Sequence, residues 1–326
     1  MKKWIAALLT VLVITLLVAC GDKEQLANEA EAEATETKET STGSSAETAF
    51  PMTLNHELGE TVLEEKPETV VVFDFGILDA LSKLDVEVAG VPQAAIPPYL
   101  EEYAGSEYTN VGSLKEPDFE AIHAMQPDLI IISARQADLY PEFEEIAPTV
   151  YMGLDTLDYM NSFETNMTLL GELFGKEQEM ATELQAVKEE VATIAKDLES
   201  VEGKTSFVMV NEGKVSAFGP GSRFGTVFDV FGYNAADENL EVSTHGQSVS
   251  FEYLAETNPD ILFVLDRSMA FEEGAYANTD FENELVQKTN AYKNGKIIYV
   301  DPSAWYLAGG GLDSMRIMIE DMKKGM

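Results

Sequence analysis

DFEAIHAMQPDLIIISAR at Asp118–Arg135 returns as SFEYLAETNPDILFVLDR at Ser250–Arg267. The Phe-Glu pair (Phe119-Glu120, Phe251-Glu252), the Pro-Asp pair (Pro127-Asp128, Pro259-Asp260) and the closing arginine all keep one offset of 132 residues. That spacing is too long for a solenoid, whose units run about 20–50 residues. The chain is therefore expected to form two similar lobes, and two lobes that face each other make a cleft.

Phe119, Ile122 and Met125 recur at helical spacing, and Phe251 and Leu254 echo the first two. Pro127 and Pro259 are expected to end each helix, because proline biases its predecessor away from the helical region. The apolar runs Leu129–Ile132 and Ile261–Val264 then fit strands buried on both faces, as in a parallel sheet covered by helices. Each arginine falls just past the carboxyl end of its strand, the edge at which open α/β sheets bind ligands. The fold class expected is α/β, with two Rossmann-like lobes joined by one long backbone helix.

Only four arginines stand against 17 lysines: Arg135, Arg223, Arg267 and Arg316. Arg223 lies in Gly219-Pro-Gly-Ser-Arg-Phe-Gly225, a turn-rich stretch after the strand-like Ser206–Val210 and Val215–Phe218. Three of the four thus follow strands, whereas Arg316 falls in a terminal helix where a structural role is expected. The planar, permanently charged guanidinium suits anionic oxygen ligands better than an ammonium does. Arg135, Arg223 and Arg267 are expected to converge on an anion.

Lys2 and Lys3 precede an apolar stretch from Trp4 to Ala19, short for a bilayer span of about 20 residues and apt for an export leader. Leu17-Val-Ala-Cys20-Gly21 resembles a bacterial lipobox, with Val18 where a small residue is usual. Cys20 is the only cysteine, which leaves no intramolecular disulfide and makes it the expected lipidation site. From Gly21 to Ala49 no aromatic residue occurs and Glu, Ala, Thr and Ser dominate, a composition that cannot bury a core. The organisation expected is a leader at 1–19, a lipidated cysteine and acidic tether at 20–50, an N-terminal lobe at 51–160, a linking helix at 161–202 and a C-terminal lobe at 203–326. The linker has no proline from Ser162 to Ser200 and its apolar residues keep near-helical spacing, with Gly175 the natural break.

Net charge is −37, of which the tether and leader account for little; the body carries about −33. Such a surface argues against nucleic acid as a partner and repels anionic lipid. Positive potential is reserved for one place. With three widely spread histidines, a multi-histidine metal site is not expected.

The lipobox, acidic tether, duplicated phrase and linking helix together resemble the iron-siderophore-binding lipoproteins of ABC importers, closest to the petrobactin and catecholate-binding group. Ser243-Thr-His245-Gly-Gln247 and Trp305-Tyr306-Leu-Ala-Gly-Gly-Gly311 are similar to that group's pocket segments. The resemblance implies no intrinsic cofactor and no enzymatic activity, with a ferric catecholate-type siderophore as ligand. It implies an ABC permease dimer as partner and attachment to the extracellular face of the membrane through lipid at Cys20, as in Gram-positive-type lipoproteins. It assigns Arg135, Arg223 and Arg267 to a cradle for the ferric chelate. A tris-catecholate of Fe³⁺ carries −3, and each arginine–anion unit pair at about 5 Å contributes on the order of 3 kcal/mol at an effective dielectric of 20. His245 and Tyr306 are implied as iron ligands when the siderophore supplies only four oxygens; the alternative is that His245 caps the helix near Ser250 and Tyr306 packs the pocket wall. Glu120 and Glu252 are implied to meet basic residues of the permease. Capture of haem or cobalamin is an alternative, although neither calls for three arginines. A secreted hydrolase is less favoured still, since no Gly-x-Ser-x-Gly elbow occurs.

Overall fold

The computed structural model describes residues 49–271 and 281–326; the expected leader, Cys20 and nearly all of the tether lie outside them. A hairpin of β1 (Met52–His56) and β2 (Gly59–Leu63) leads into a parallel sheet of β3 (Val70–Val72), β4 (Gly90–Val91), β5 (Thr109–Asn110), β6 (Leu129–Ile132) and β7 (Thr149–Tyr151), in the order β5-β4-β3-β6-β7. A second sheet holds β8 (Thr205–Asn211), β9 (Lys214–Phe218), β10 (Gln247–Val249), β11 (Ile261–Asp266) and β12 (Ile297–Tyr299), ordered β10-β9-β8-β11-β12.

The two copies of the repeated phrase fold alike. Helices α2 (Phe119–Met125) and α7 (Phe251–Thr257) begin at Asp118 and Ser250, whose side chains accept from the N–H groups of Ala121 and Tyr253. They stop at Gln126 (φ 49°, ψ 61°) and Asn258 (φ 48°, ψ 60°), left-handed residues one step before the prolines that bar a further helical turn. Asp128 Oδ2 then accepts from the Glu68 and Thr69 N–H groups at 3.1 and 2.8 Å, and Asp260 Oδ2 from Lys204 N–H at 2.9 Å. Each Pro-Asp pair thus pins the start of one strand (β6, β11) to the start of its parallel neighbour (β3, β8).

Alternation explains why the apolar runs are continuous. Leu129 and Ile131 point into a central core, and Ile130 and Ile132 into a cluster completed by Ile122 of α2. Ile261, Phe263 and Leu265 likewise face the central core, while Leu262 and Val264 face a cluster with Leu254 of α7. The central core is common to both sheets.

The second sheet departs from the wholly parallel reading. β8 turns directly into antiparallel β9 through Glu212 and Gly213, both at positive φ (51° and 76°), the two-residue hairpin geometry that matches strand twist. β10 adds antiparallel to β9.

Between the sheets run α4 (Tyr159–Phe174) and α5 (Glu177–Leu198), after α1 (Phe75–Lys83) and the short α3 (Tyr140–Glu144). The break falls at Gly175 (φ 68°, ψ 38°), and the chain reverses there, for Lys188 of α5 returns to Glu164 of α4 at 2.7 Å. The long helix is therefore α5, about 33 Å of rigid rod, whose Met180, Leu184, Val187, Val191, Ile194 and Leu198 line the central core. After the short α6 (Thr226–Asp229) and α8 (Asn290–Lys293), the last helix, α9 (Leu312–Lys323), packs on both α1 and α5. Arg316 on α9 is structural as expected, bonding Glu183 at 2.7 Å and Asp313 at 3.0 Å, with Glu190 at 3.7 Å.

Candidate functional site

The carboxyl ends of the two sheets present the three expected arginines to one another. Arg135 stands in the turn after β6, fixed by Ser133, whose hydroxyl donates to Asp74 Oδ2 at 2.6 Å. Arg267 opens the turn after β11, where Asp266 accepts from Ser268 N–H. Arg223 lies after β9 in a loop held by Ser222 Oγ donating to Gly219 O (2.6 Å) and Gly221 N–H donating to Asp229 Oδ2 (2.6 Å). Gly221 has φ +72°, a conformation that a side chain would strain.

All three converge on Tyr306. Arg135 Nη2 and Arg223 Nη2 both donate to its carbonyl oxygen, the latter at 2.7 Å, and Arg267 Nε donates to its phenol oxygen at 2.9 Å. The guanidinium carbons lie 5.9, 4.4 and 5.5 Å from the Tyr306 ring centroid, in order along the chain. Tyr306 can serve so because Ser303–Leu307 is a wide π-type turn closed by Ala308 N–H donating to Ser303 O at 2.9 Å. The chain then leaves through Gly309–Gly311, so no helical N–H claims the Tyr306 carbonyl.

Among the described residues no carboxylate pairs with Arg135, Arg223 or Arg267, whereas Arg316 has three. Arg267 Nη1 finds only a neutral acceptor, Asn211 Oδ1, at 3.0 Å. Burial, then the neighbouring charge of Arg135, pushes the Arg223 pKa down to about 10. Burial opposes ionisation of the Tyr306 phenol, yet the Arg267 hydrogen bond and the Arg223 and Arg267 charges outweigh it and hold the phenol below its ordinary value. Among the described residues these three half-buried cations have no counter-ion, an arrangement within a strongly acidic body that attracts anions.

His245 is not part of this cluster. It is exposed in the turn before β10, its backbone N–H bonded to Ser243 Oγ at 3.2 Å. Nor does it cap α7, since Ser250 does. Glu120 and Glu252 occupy equivalent exposed positions in the first turns of α2 and α7. His123 is exposed on α2, and His56 bonds Thr61 Oγ1 at 3.0 Å within the β1–β2 hairpin. No group of three or more His, Cys, Asp or Glu side chains able to hold a metal occurs among the described residues.

Three residues that contact the cluster or support it escaped the sequence reading. Asn211 orients Arg267 and is signalled only by its place at the end of β8. Phe271 packs edge-on to Tyr306, with ring centroids 5.9 Å apart. Asp79, a single acid among the apolar residues of α1, is buried and accepts from the N–H groups of Asp313 (2.9 Å) and Ser314 (2.7 Å) at the start of α9. It thereby fastens the segment carrying Tyr306 to the first half of the molecule, and burial raises its pKa to about 6 despite those bonds.

The family model described as periplasmic binding protein matches residues 70–304. Petrobactin-binding protein YclQ of Bacillus subtilis is 43% identical over 330 residues, covering 100% of this chain and 99% of that protein. Its crystal structure superposes with a TM-score of 0.81 over 84% of this chain and 98% of that one, at 48% identity. Ferric-anguibactin-binding protein FatB of Vibrio anguillarum is 34% identical, covering 84% of this chain and 87% of its own. The periplasmic catecholate-siderophore binding protein VctP of Vibrio cholerae is similar in structure, with a TM-score of 0.77 and 36% identity over 83% of this chain and 99% of that one.

Proposed function

The chain belongs to the periplasmic binding protein family, and from that premise we propose that it captures anionic ferric siderophores, of catecholate or petrobactin type, for an ABC importer. The observation that carries this reading is the meeting of Arg135, Arg223 and Arg267 around Tyr306 with no carboxylate among their described neighbours. Three such cations match the −3 of a ferric tris-catecholate, and charge-assisted hydrogen bonds to the catecholate oxygens orient it. The names of the relatives favour a siderophore over haem or cobalamin. The role is binding and delivery, without catalysis.

When the siderophore supplies only four oxygens, Tyr306 completes the iron shell as a phenolate, the form its arginine neighbours favour. His245 reaches the same iron only if its exposed turn folds inward. Cys20 carries the lipid that holds the protein at the extracellular face of the membrane, and Glu120 and Glu252 dock one on each side of a permease dimer. Oppositely charged rim contacts of this kind set encounter rate and orientation.

Fluorescence quenching tests the reading, and the chain is well equipped for it. Of its two tryptophans, Trp4 lies in the leader and Trp305 is buried beside Tyr306. Titration of the detergent-solubilised protein with ferric bis- and tris-catecholates is expected to quench Trp305 tightly, and neutral ferric hydroxamates only weakly. Equal affinity for the neutral class defeats the charge-matching reading.

A further inference from the structure

The repeat contains its own control for one residue. Four positions after each closing arginine stands a large apolar side chain, Leu139 after Arg135 and Phe271 after Arg267. Leu139 packs against its own lobe's cluster, with Phe143 and Ile132. Phe271 instead remains 49% exposed and is the one phenylalanine among the exposed large apolar residues described. Its ring meets Tyr306 edge-on at 5.9 Å (77° between planes), and the Arg267 guanidinium carbon lies 5.5 Å from its centroid. Arg267 is thus flanked by two aromatic rings, both at 5.5 Å. Among the described residues no other ring pairs with Phe271, and about half of its surface is exposed beside the arginines.

Leaving an aromatic half-exposed sacrifices apolar burial, which is favourable by about 25 cal/mol per Å². Where the matched residue of the other lobe turns inward, that exposure marks a surface kept for an occupant. From this asymmetry we infer that Phe271 is a specificity-determining aromatic shelf, taking the face or edge of an aryl ring of the ligand while Arg267 holds that ring's oxygens. The inference rests on the siderophore reading above and narrows it: the site selects anionic iron chelates whose donor groups are carried on aromatic rings. Offset-stacked and edge-to-face geometries both serve such a contact, with ring centroids about 4.5–7 Å apart.

The test uses the detergent-solubilised full chain with ferric tris-catecholate, and its diamagnetic gallium(III) counterpart for proton NMR. Phe271→Leu and Phe271→Ala are each expected to weaken ferric tris-catecholate binding about tenfold, on the scale of a lost aromatic pair. The aryl protons of the bound gallium chelate are expected to show an upfield ring-current shift that both variants lose in part, Tyr306 supplying the remainder. Wild-type affinity in both variants overturns the inference while leaving the capture function standing. Weakened binding with an unaltered aryl shift also overturns it, because Phe271 then only positions Arg267. Failure of the wild-type protein to bind either chelate sinks the siderophore reading itself.

Discussion

Arg135 and Arg223, brought from the two different sheets, donate to one and the same oxygen, the carbonyl of Tyr306. Two cations so close repel one another, and only a weakly charged acceptor stands between them. The unliganded site is electrostatically unfavourable in itself, and an incoming anion relieves it. Sites of this sort trade stability for function.

That trade can be measured at Arg223. Arg223→Met removes a half-buried, crowded guanidinium, so the unliganded protein is expected to melt about 2 °C or more higher. Affinity for a ferric catecholate is expected to fall about a hundredfold, the scale of one strong charge pair. Arg316→Met should do the reverse, lowering the melting temperature through loss of its Glu183 and Asp313 partners while leaving ligand affinity as it was. Calorimetry and fluorescence titration of both variants check the contrast.

Tyr306→Phe deletes the phenol but keeps the carbonyl on which Arg135 and Arg223 rest. A tetradentate bis-catecholate complex is expected to lose its phenolate-to-iron charge-transfer contribution, shifting the visible band of the bound chelate. A hexadentate tris-catecholate, which needs no protein donor, should keep its spectrum. An unchanged band for the tetradentate complex rejects phenolate coordination.

Asp79 carries a pH signature. Its folded pKa, about 6, lies above the ordinary 3.8, so the folded state binds the extra proton between those values. Stability from this group is therefore greatest at low pH and falls as pH rises towards 6. The penalty for Asp79→Ala is expected to be larger at pH 5 than at pH 7.5, by about 1 kcal/mol. Urea unfolding at the two pH values reads it directly; a penalty indifferent to pH removes Asp79 from the account.

Glu120→Lys combined with Glu252→Lys should abolish iron-siderophore uptake by cells while leaving the dissociation constant of the purified protein unchanged. Both side chains are exposed and neither touches the arginine cluster. A loss of ligand affinity in the double variant would reassign them to the fold.

The sheets were legible because Leu129–Ile132 and Ile261–Val264 are apolar on both faces, and the arginine centre because arginine is scarce in a lysine-rich chain. The antiparallel edge of the second sheet was written in Glu212-Gly213, but two residues give little warning of a turn unless both adopt positive φ. Asp79 and Phe271 were illegible for a different reason. Their roles depend on what α9 and Tyr306 bring to them from more than 200 and from 35 positions away, and no local pattern records such distant meetings. His245 shows the converse limit: a residue matched by resemblance lies apart from the cluster, because its turn leads into β10 and is not one of the arginine loops.

One feature of the architecture reaches back to the chain's manufacture. Leu312, Met315 and Ile319 of the final helix fill the core shared with the first sheet, beside Ile77, Leu78 and Leu81. A polypeptide made amino end first cannot seal that interior until α9 has been made. Early contacts must wait on the last ones, which slows folding. The interior of the first sheet therefore stays open until α9, more than 200 residues downstream of α1, has docked.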